Sequence, residues 1–387
     1  MPSELLTDIG ELSTLVEGEP RRHDAALVID DGRIAWIGDR RSAPDADIRT
    51  SAGGGAVLPG WVDSHTHLVF AGDRSAEFEA RMAGRPYSAG GIRATVEATR
   101  AASEDELLQG LRRLRAEAEA QGTTFLETKT GYGLDVASEA RSARVAAQGA
   151  DVVTYLGAHV VPAGVDARDY LDLVTGPMLE AVLPWASFVD VFCEEGAFDV
   201  DQSREVLAAG AAAGLGVRVH GNQLGESGGV ALAVELGAAS VDHCNHLAPA
   251  DIDALAGSDT VATLLPACDL STRQPFPPAR ELLDAGATIA LATNANPGSS
   301  YTTSMPFCVA TAVLQLGLTI EEALVAATRG GARALRREDG VGTIAVGGPA
   351  DLQLLDAPAA VHLAYRPGVP LTAAVWRGGV RAGEGNG

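Results

Sequence analysis

A chain of 387 residues, 46% hydrophobic and 21% charged, can bury one large core plus a small accessory domain and is too apolar for extensive disorder. Its net charge of −22 and pI near 4.7 argue against nucleic acid or an anionic membrane as partner, since both are polyanions. Four scattered cysteines (Cys193, Cys244, Cys268, Cys308), no leader-like N-terminus and no apolar run of roughly 20 residues predict a cytoplasmic protein with reduced thiols and no membrane span.

In chain order, the apolar runs 26–29 and 34–37 flank Asp31-Gly32, which predicts a β-hairpin. Eight short runs rich in Val, Ile, Leu or aromatics follow, at 58–67, 124–129, 152–159, 188–194, 216–220, 239–243, 261–266 and 288–294. Continuous apolar runs are what a parallel sheet buried on both faces requires. Segments with helical spacing, such as 104–121, 199–213 and 279–286, lie between them, and another spans 320–337. Strand and helix alternating eight times, with histidine or carboxylate at strand ends, predict an α/β fold, a (β/α)₈ TIM barrel. A doubly wound open sheet is the alternative, but it does not usually spread candidate ligands over so many strand ends. Short runs at 342–344, 351–355 and 373–377, punctuated by Gly and Pro, resemble the N-terminal end. Both termini are therefore expected to form one small β-sandwich domain, from residues 1–57 and 339–387, beside a barrel of residues 58–338.

His65-Thr66-His67 ends the first barrel run. On a strand, residues i and i+2 face the same way, so both imidazoles can reach one metal ion. A lone H-x-H is often a surface pair; at a barrel strand end it predicts a metal site. His220 and His243 close the fifth and sixth runs, where one histidine alone would more often be a core residue. We expect His220 as the third ligand and His243 as a catalytic group behind the ligands or against the substrate. His246 is read as structural. Lys129, the chain's one lysine, ends the second run in Glu-x-Lys-Thr and is expected in a structural salt bridge.

H-x-H on strand one with histidines on strands five and six resembles the amidohydrolase superfamily, whose signature also ends strand eight in an acid. Within it, residues 58 to about 335 resemble the imidazolonepropionases, through PGWVDSHTHLVFAGDR (59–74), ETKTGYGL (127–134), LGAHVVP (156–162), DVFCE (190–194) and NPGSS (296–300). The resemblance implies hydrolysis of the ring amide of a small molecule, 4-imidazolone-5-propanoate, to N-formimidoyl-L-glutamate with one metal ion, Zn²⁺ or iron (Fe²⁺ or Fe³⁺). It implies a homodimer, substrate binding by Arg74, Tyr132, His159, Gln223, Asn296, Gly298 and Ser299, catalytic positions at His243, Gln223 and Asn294, and Asn294 beside His65, His67 and His220 at the metal. A bridging carboxylated lysine is not expected, because the fourth run ends in Cys193-Glu194.

One position departs from the family pattern. Asn294 ends the eighth run where the resemblance calls for an aspartate that binds metal and shuttles a proton. An amide oxygen is a neutral, poorer metal donor and cannot accept a proton at any relevant pH. Three outcomes are open: bound metal with slowed turnover, rescue of the base role by Glu194 or Asp269, or a binder of imidazolone-like ligands without turnover. Another cyclic amidohydrolase, such as a deaminase of an aminated ring, is the second enzyme reading.

Overall fold

In the computed structural model, which describes residues 2–84 and 91–383, the two ends of the chain build one eight-stranded sheet and the middle builds another. Strands β1 (Glu4–Val16), β2 (Glu19–Asp30) and β3 (Arg33–Asp39) run antiparallel in succession. Asp31 and Gly32 join β2 to β3 at φ of 45° and 76°, the left-handed pair that a two-residue hairpin loop needs. The predicted hairpin is therefore present, with longer strands than 26–29 and 34–37. β1 is not legible as a strand, and its geometry says why: the register shifts between Leu6 and Ile9, with Asp8 at φ 55°, so the bulge interrupts the period of two.

β4 (Ile48–Ser51) and β5 (Ala56–Pro59) pair in parallel with the other edge of β1. Near the C-terminus, Leu352–Leu355, Thr372–Arg377 and Val380–Arg381 continue the sheet outward from β5. One core gathers Leu6, Leu27, Ile34, Val57, Leu352 and Trp376, strands from both ends of the sheet order, so the sheet folds over itself as the expected β-sandwich. Residues 342–344 are a correction: they form a turn, Gly342 at φ 82°, and only Ile344 bonds to the sheet, through its N–H to the Thr14 carbonyl.

The second sheet contains β6 (Trp61–Asp63), β7 (Thr123–Lys129), β8 (Val152–Ala158), β9 (Phe188–Cys193), β10 (Gly216–Gly221), β11 (Ser240–His243), β12 (Val261–Leu264) and β13 (Ile289–Leu291), hydrogen-bonded in that order. The ladders from β7 to β13 are parallel. Past the ends of β6 and β13 the barrel closes, with His67 N–H donating to Ala295 O at 2.9 Å and Asn294 N–H to His65 O at 3.0 Å. The eight predicted runs thus supply the eight barrel strands. The first is not one strand, however: 58–67 breaks at Gly60, with β5 on one side in the terminal sheet and β6 on the other in the barrel. A Cβ on Gly60 would lie 2.1 Å from Thr124 Oγ1, so only glycine passes there. The helical segment 320–337 is interrupted as well, by a π-helical turn at Ala326–Gly330.

The chain separates into two compact units, residues 1–63 with 116–125 and 304–387, and residues 64–115 with 126–303. Every candidate site residue belongs to the second unit. The division 1–57, 58–338 and 339–387 is kept as a proposed domain scheme. Among the described residues no helix is long and apolar enough to cross a membrane, and all four cysteines are buried free thiols.

Candidate functional site

His65 and His67 lie just past β6, and their Nε2 atoms approach to 3.2 Å. His220, on β10, brings its ring centroid to 4.5 Å from that of His65 and 5.5 Å from that of His67. One nitrogen from each of the three falls within 4.8 Å of the others. Two buried aspartates set the rings: Asp242 meets His65 Nδ1 at 2.7 Å and Asp190 meets His220 Nδ1 at 3.1 Å. A carboxylate on Nδ1 keeps the proton there and leaves Nε2 as a lone-pair donor. Among the described residues, His220 Nε2 is buried without a hydrogen-bond partner. Burial, then the charge of Lys129, pushes the pKa of His65 well below its ordinary value; burial and the neighbouring histidines do the same for His67. Ring nitrogens of three histidines converging on one point could hold a cation between them, and this donor set fits Zn²⁺ or iron.

Beneath the histidines lies a fully buried ion network. Lys129 Nζ is 2.9 Å from both Glu127 and Asp190, and Arg218 is 3.1 Å from Asp242 and 3.5 Å from Glu127. Three carboxylates face two cations, leaving an excess negative charge that a metal ion on the histidines would offset. Burial works to raise the pKa of Asp242, but Arg218 and His65 hold it well below the carboxylate range. Lys129 thus takes the salt-bridge role expected of it. Roles for Asp190, Asp242, Glu127 and Arg218 are not foreseen from the sequence. The available signal is alternation: Glu127 and Lys129, Arg218 and His220, and Ser240 and Asp242 each share one strand face, and charged residues in apolar strands are rarely unpaired.

A cleft with about 660 Å³ of atom-free space, partly open to solvent, is lined by His67, Arg74, Tyr132, His159, His220, Gln223, His243, Asn294, Asn296 and Ser299. The predicted residues therefore meet in one place, apart from fully buried His65 and from Gly298, which is not part of the lining. His159 stacks on His67 at 5.7 Å between ring centroids, with its Nδ1 on Gly131 O at 3.0 Å. Two lining residues already have partners within the protein. Arg74 grips Glu77 through its Nε and Nη2 at 3.0 and 2.7 Å. Its Nη1 abuts Gly298, where an added Cβ would come within 2.1 Å of it. Asn296 uses its amide inside its own loop, donating to Asn294 O and Ser299 Oγ and accepting from the N–H groups of Gly298 and Ser299. It shapes the loop that carries Ser299 to the cleft.

Residues 194–381 match the Amidohydrolase family. Over 98% of this chain and 99% of the relative, the sequence is 68% identical to the imidazolonepropionase of Saccharopolyspora erythraea. The chain belongs to the imidazolonepropionase family. The imidazolonepropionase of Arthrobacter sp. (strain FB24) is 63% identical, over 98% of this chain and all of that one. Among solved structures, an adenosine deaminase from Xanthomonas campestris with bound zinc superposes with a TM-score of 0.73 at 20% identity, covering 98% of this chain and 92% of that one. An atrazine chlorohydrolase from Arthrobacter aurescens TC1 complexed with zinc gives 0.73 at 18% identity, covering 98% and 94%. At such identities these structures establish the shared fold alone. The imidazolonepropionase likeness takes in the terminal β-strands as well as residues 58–335.

Two further carboxyls in this imidazolonepropionase-family chain are candidates to stand in for an aspartate at 294. Glu194 accepts the Gln223 N–H, and burial raises its pKa. Asp269 is almost wholly buried, and burial pushes its pKa up to about 8, against the opposing bond from Asn245. In an unfolded chain an aspartate releases its proton near pH 4, roughly. Between those values the folded state holds the proton and the unfolded state does not, so stability falls as pH rises through that window. We expect the thermal midpoint to decline from mildly acidic pH toward pH 8 or so, and Asp269→Asn, which cannot ionise, to flatten the decline. Melting curves with the same pH slope in both proteins would refute this.

Proposed function

We propose that the chain hydrolyses the ring amide of 4-imidazolone-5-propanoate to N-formimidoyl-L-glutamate, with one metal ion, Zn²⁺ or iron, held by His65, His67 and His220. The observation that carries this is the convergence of three buried imidazoles, one with an unpartnered Nε2, at a cleft in an imidazolonepropionase-family chain. When bound, such an ion polarises the attacked carbonyl and lowers the pKa of water enough to supply hydroxide near neutral pH.

The chain's own groups do the rest. Asp242 and Asp190 hold two of the imidazoles in orientation. Arg74 attracts the propanoate; Glu77, about one-third exposed, already neutralises part of its charge, so the ligand carboxylate shares the guanidinium rather than meeting it bare. Tyr132, His159 and Gln223 line the cleft and are proposed to contact the ring, with His243 hydrogen-bonding its polar edge. Ser299, on the loop braced by Asn296, offers a hydroxyl to the other end of the substrate. Asn294 faces the histidines without a proton-accepting group, and general acid–base help is worth about 10²–10⁴ in rate.

The test follows ultraviolet loss of imidazolonepropanoate, with metal content measured on the same sample. Expected are about one ion per chain, turnover that chelation abolishes and Zn²⁺ or Fe²⁺ restores, and an Arg74→Met variant that raises KM more than it lowers kcat. Metal-loaded protein that leaves the substrate intact would sink the proposal.

A further inference from the structure

One carboxyl next to the cleft has no part in the hydrolysis as outlined. Asp269 sits in the first turn of the helix Pro266–Thr272, directly after β12. Its Oδ1 accepts from Asn245 Nδ2 at 2.7 Å, while its Oδ2 is buried with no partner among the described residues. His243 Nδ1 is likewise buried and without a partner. A ring nitrogen of His243 and a carboxylate oxygen of Asp269 lie within 4.8 Å of each other. His243 lines the cleft, its ring centroid 5.5 Å from that of His220. It reaches that place through a φ of 87°, a strained conformation for a residue with a side chain. Strain of this kind persists where the surroundings hold it and gathers at functional positions. Glu194, the other stand-in, accepts backbone N–H bonds from Gln223, Leu224 and Glu195. Its oxygens are occupied where those of Asp269 are half-used.

From this geometry we infer that Asp269 and His243 form a proton relay that replaces the carboxylate missing at position 294. The inference rests on the hydrolase reading above. The oxygen of water bonds to the ring carbonyl carbon and the ring C–N bond breaks. The leaving nitrogen takes a proton from His243 Nε2 while His243 Nδ1 takes one from Asp269. The proton lost by the attacking water returns along the same path to the Asp269 carboxylate, so one water is consumed and the relay ends as it began. Catalytic hydrogen bonds are often long in a ligand-free site and tighten once substrate is bound, which suits the present His243–Asp269 separation. Burial keeps Asp269 protonated at neutral pH, so the proton is on hand. Cys268, in the same cluster, is pushed up to about 12 by burial and stays a thiol bystander.

Asp269→Asn keeps the shape and can still accept from Asn245, but it carries no transferable acid proton. Expected is a fall in kcat of about a hundredfold, with KM and metal content nearly unchanged. Adding Asn294→Asp to that variant should recover at least about tenfold. In metal-free protein grown on isotope-labelled aspartate, the infrared carbonyl stretch of a protonated aspartic acid should be present at neutral pH and absent from Asp269→Asn. The relay is overturned by kcat within about threefold of the parent, by a metal-loaded double variant without recovery, or by a parent spectrum without the protonated band. That last measurement needs no substitution, so it decides the matter even if Asp269→Asn does not fold. A parent that turns over alongside an equally active Asp269→Asn sinks the relay alone. A metal-loaded parent that does not turn over sinks the hydrolase reading, and the relay with it.

Discussion

Lys129→Met is expected to destabilise the fold by about 3–5 kcal/mol, the range for removing one partner of a buried ion pair. Methionine fills nearly the same volume, so the loss comes from charge. Lys129 Nζ stands 2.9 Å from Glu127, 2.9 Å from Asp190 and 3.7 Å from Asp242, all of them fully buried. Without it, Arg218 alone faces three carboxylates in a medium that solvates charge poorly. Some must then take up protons, and Asp190 and Asp242 would loosen their hold on His220 and His65. The measurement is denaturant unfolding of parent and variant, each with and without metal. The penalty should shrink when metal is bound, because the added positive charge offsets part of what was removed. A change below about 1 kcal/mol, as for a surface pair, would show that the network bears little charge at neutral pH.

His220→Asn should produce the largest functional loss, removing the metal and, with it, at least about 10³ in kcat/KM, since both the Lewis acid and the acidified water disappear. His220 is the one expected ligand contributed by the middle of the barrel, and its Nε2 makes no hydrogen bond among the described residues. Asp190→Asn makes the graded comparison: it leaves the imidazole present but poorly oriented, so metal affinity should drop about 10–100-fold while a saturated sample still turns over. Metal per chain after dialysis, together with kcat/KM at saturating metal, separates the two. A His220→Asn protein retaining metal as well as the parent would refute the ligand assignment.

Much of this architecture is legible in the residues. Apolar runs ending in polar side chains mark the barrel strands because a parallel sheet covered on both faces admits little else. Histidines two apart at a strand end mark the proposed metal site because the pleat turns both rings to one side. The misses have specific causes. Where 58–67 passes from one sheet to the other at Gly60, the close approach of Thr124, distant in sequence, leaves room only for glycine. β1 hides behind a bulge at Asp8. The grip of Arg74 on Glu77 spans only three residues, yet it depends on a helix starting at Ser75.

His243 marks the boundary most clearly. Alternation along β11 says that Asp242 and His243 point to opposite faces, yet in the structure both reach the site, Asp242 on His65 Nδ1 and His243 in the cleft. A positive φ at His243 and at Cys244 resolves the conflict by turning the chain just as the strand ends. Residue identity and spacing are written into the chain because each strand must bury apolar side chains at a fixed period. Which carboxylate meets which imidazole depends instead on contacts between segments 30 to 177 residues apart, His220 with Asp190 and His65 with Asp242. No local period encodes such pairings. They exist only once the barrel closes and excludes the water that would otherwise solvate those charges.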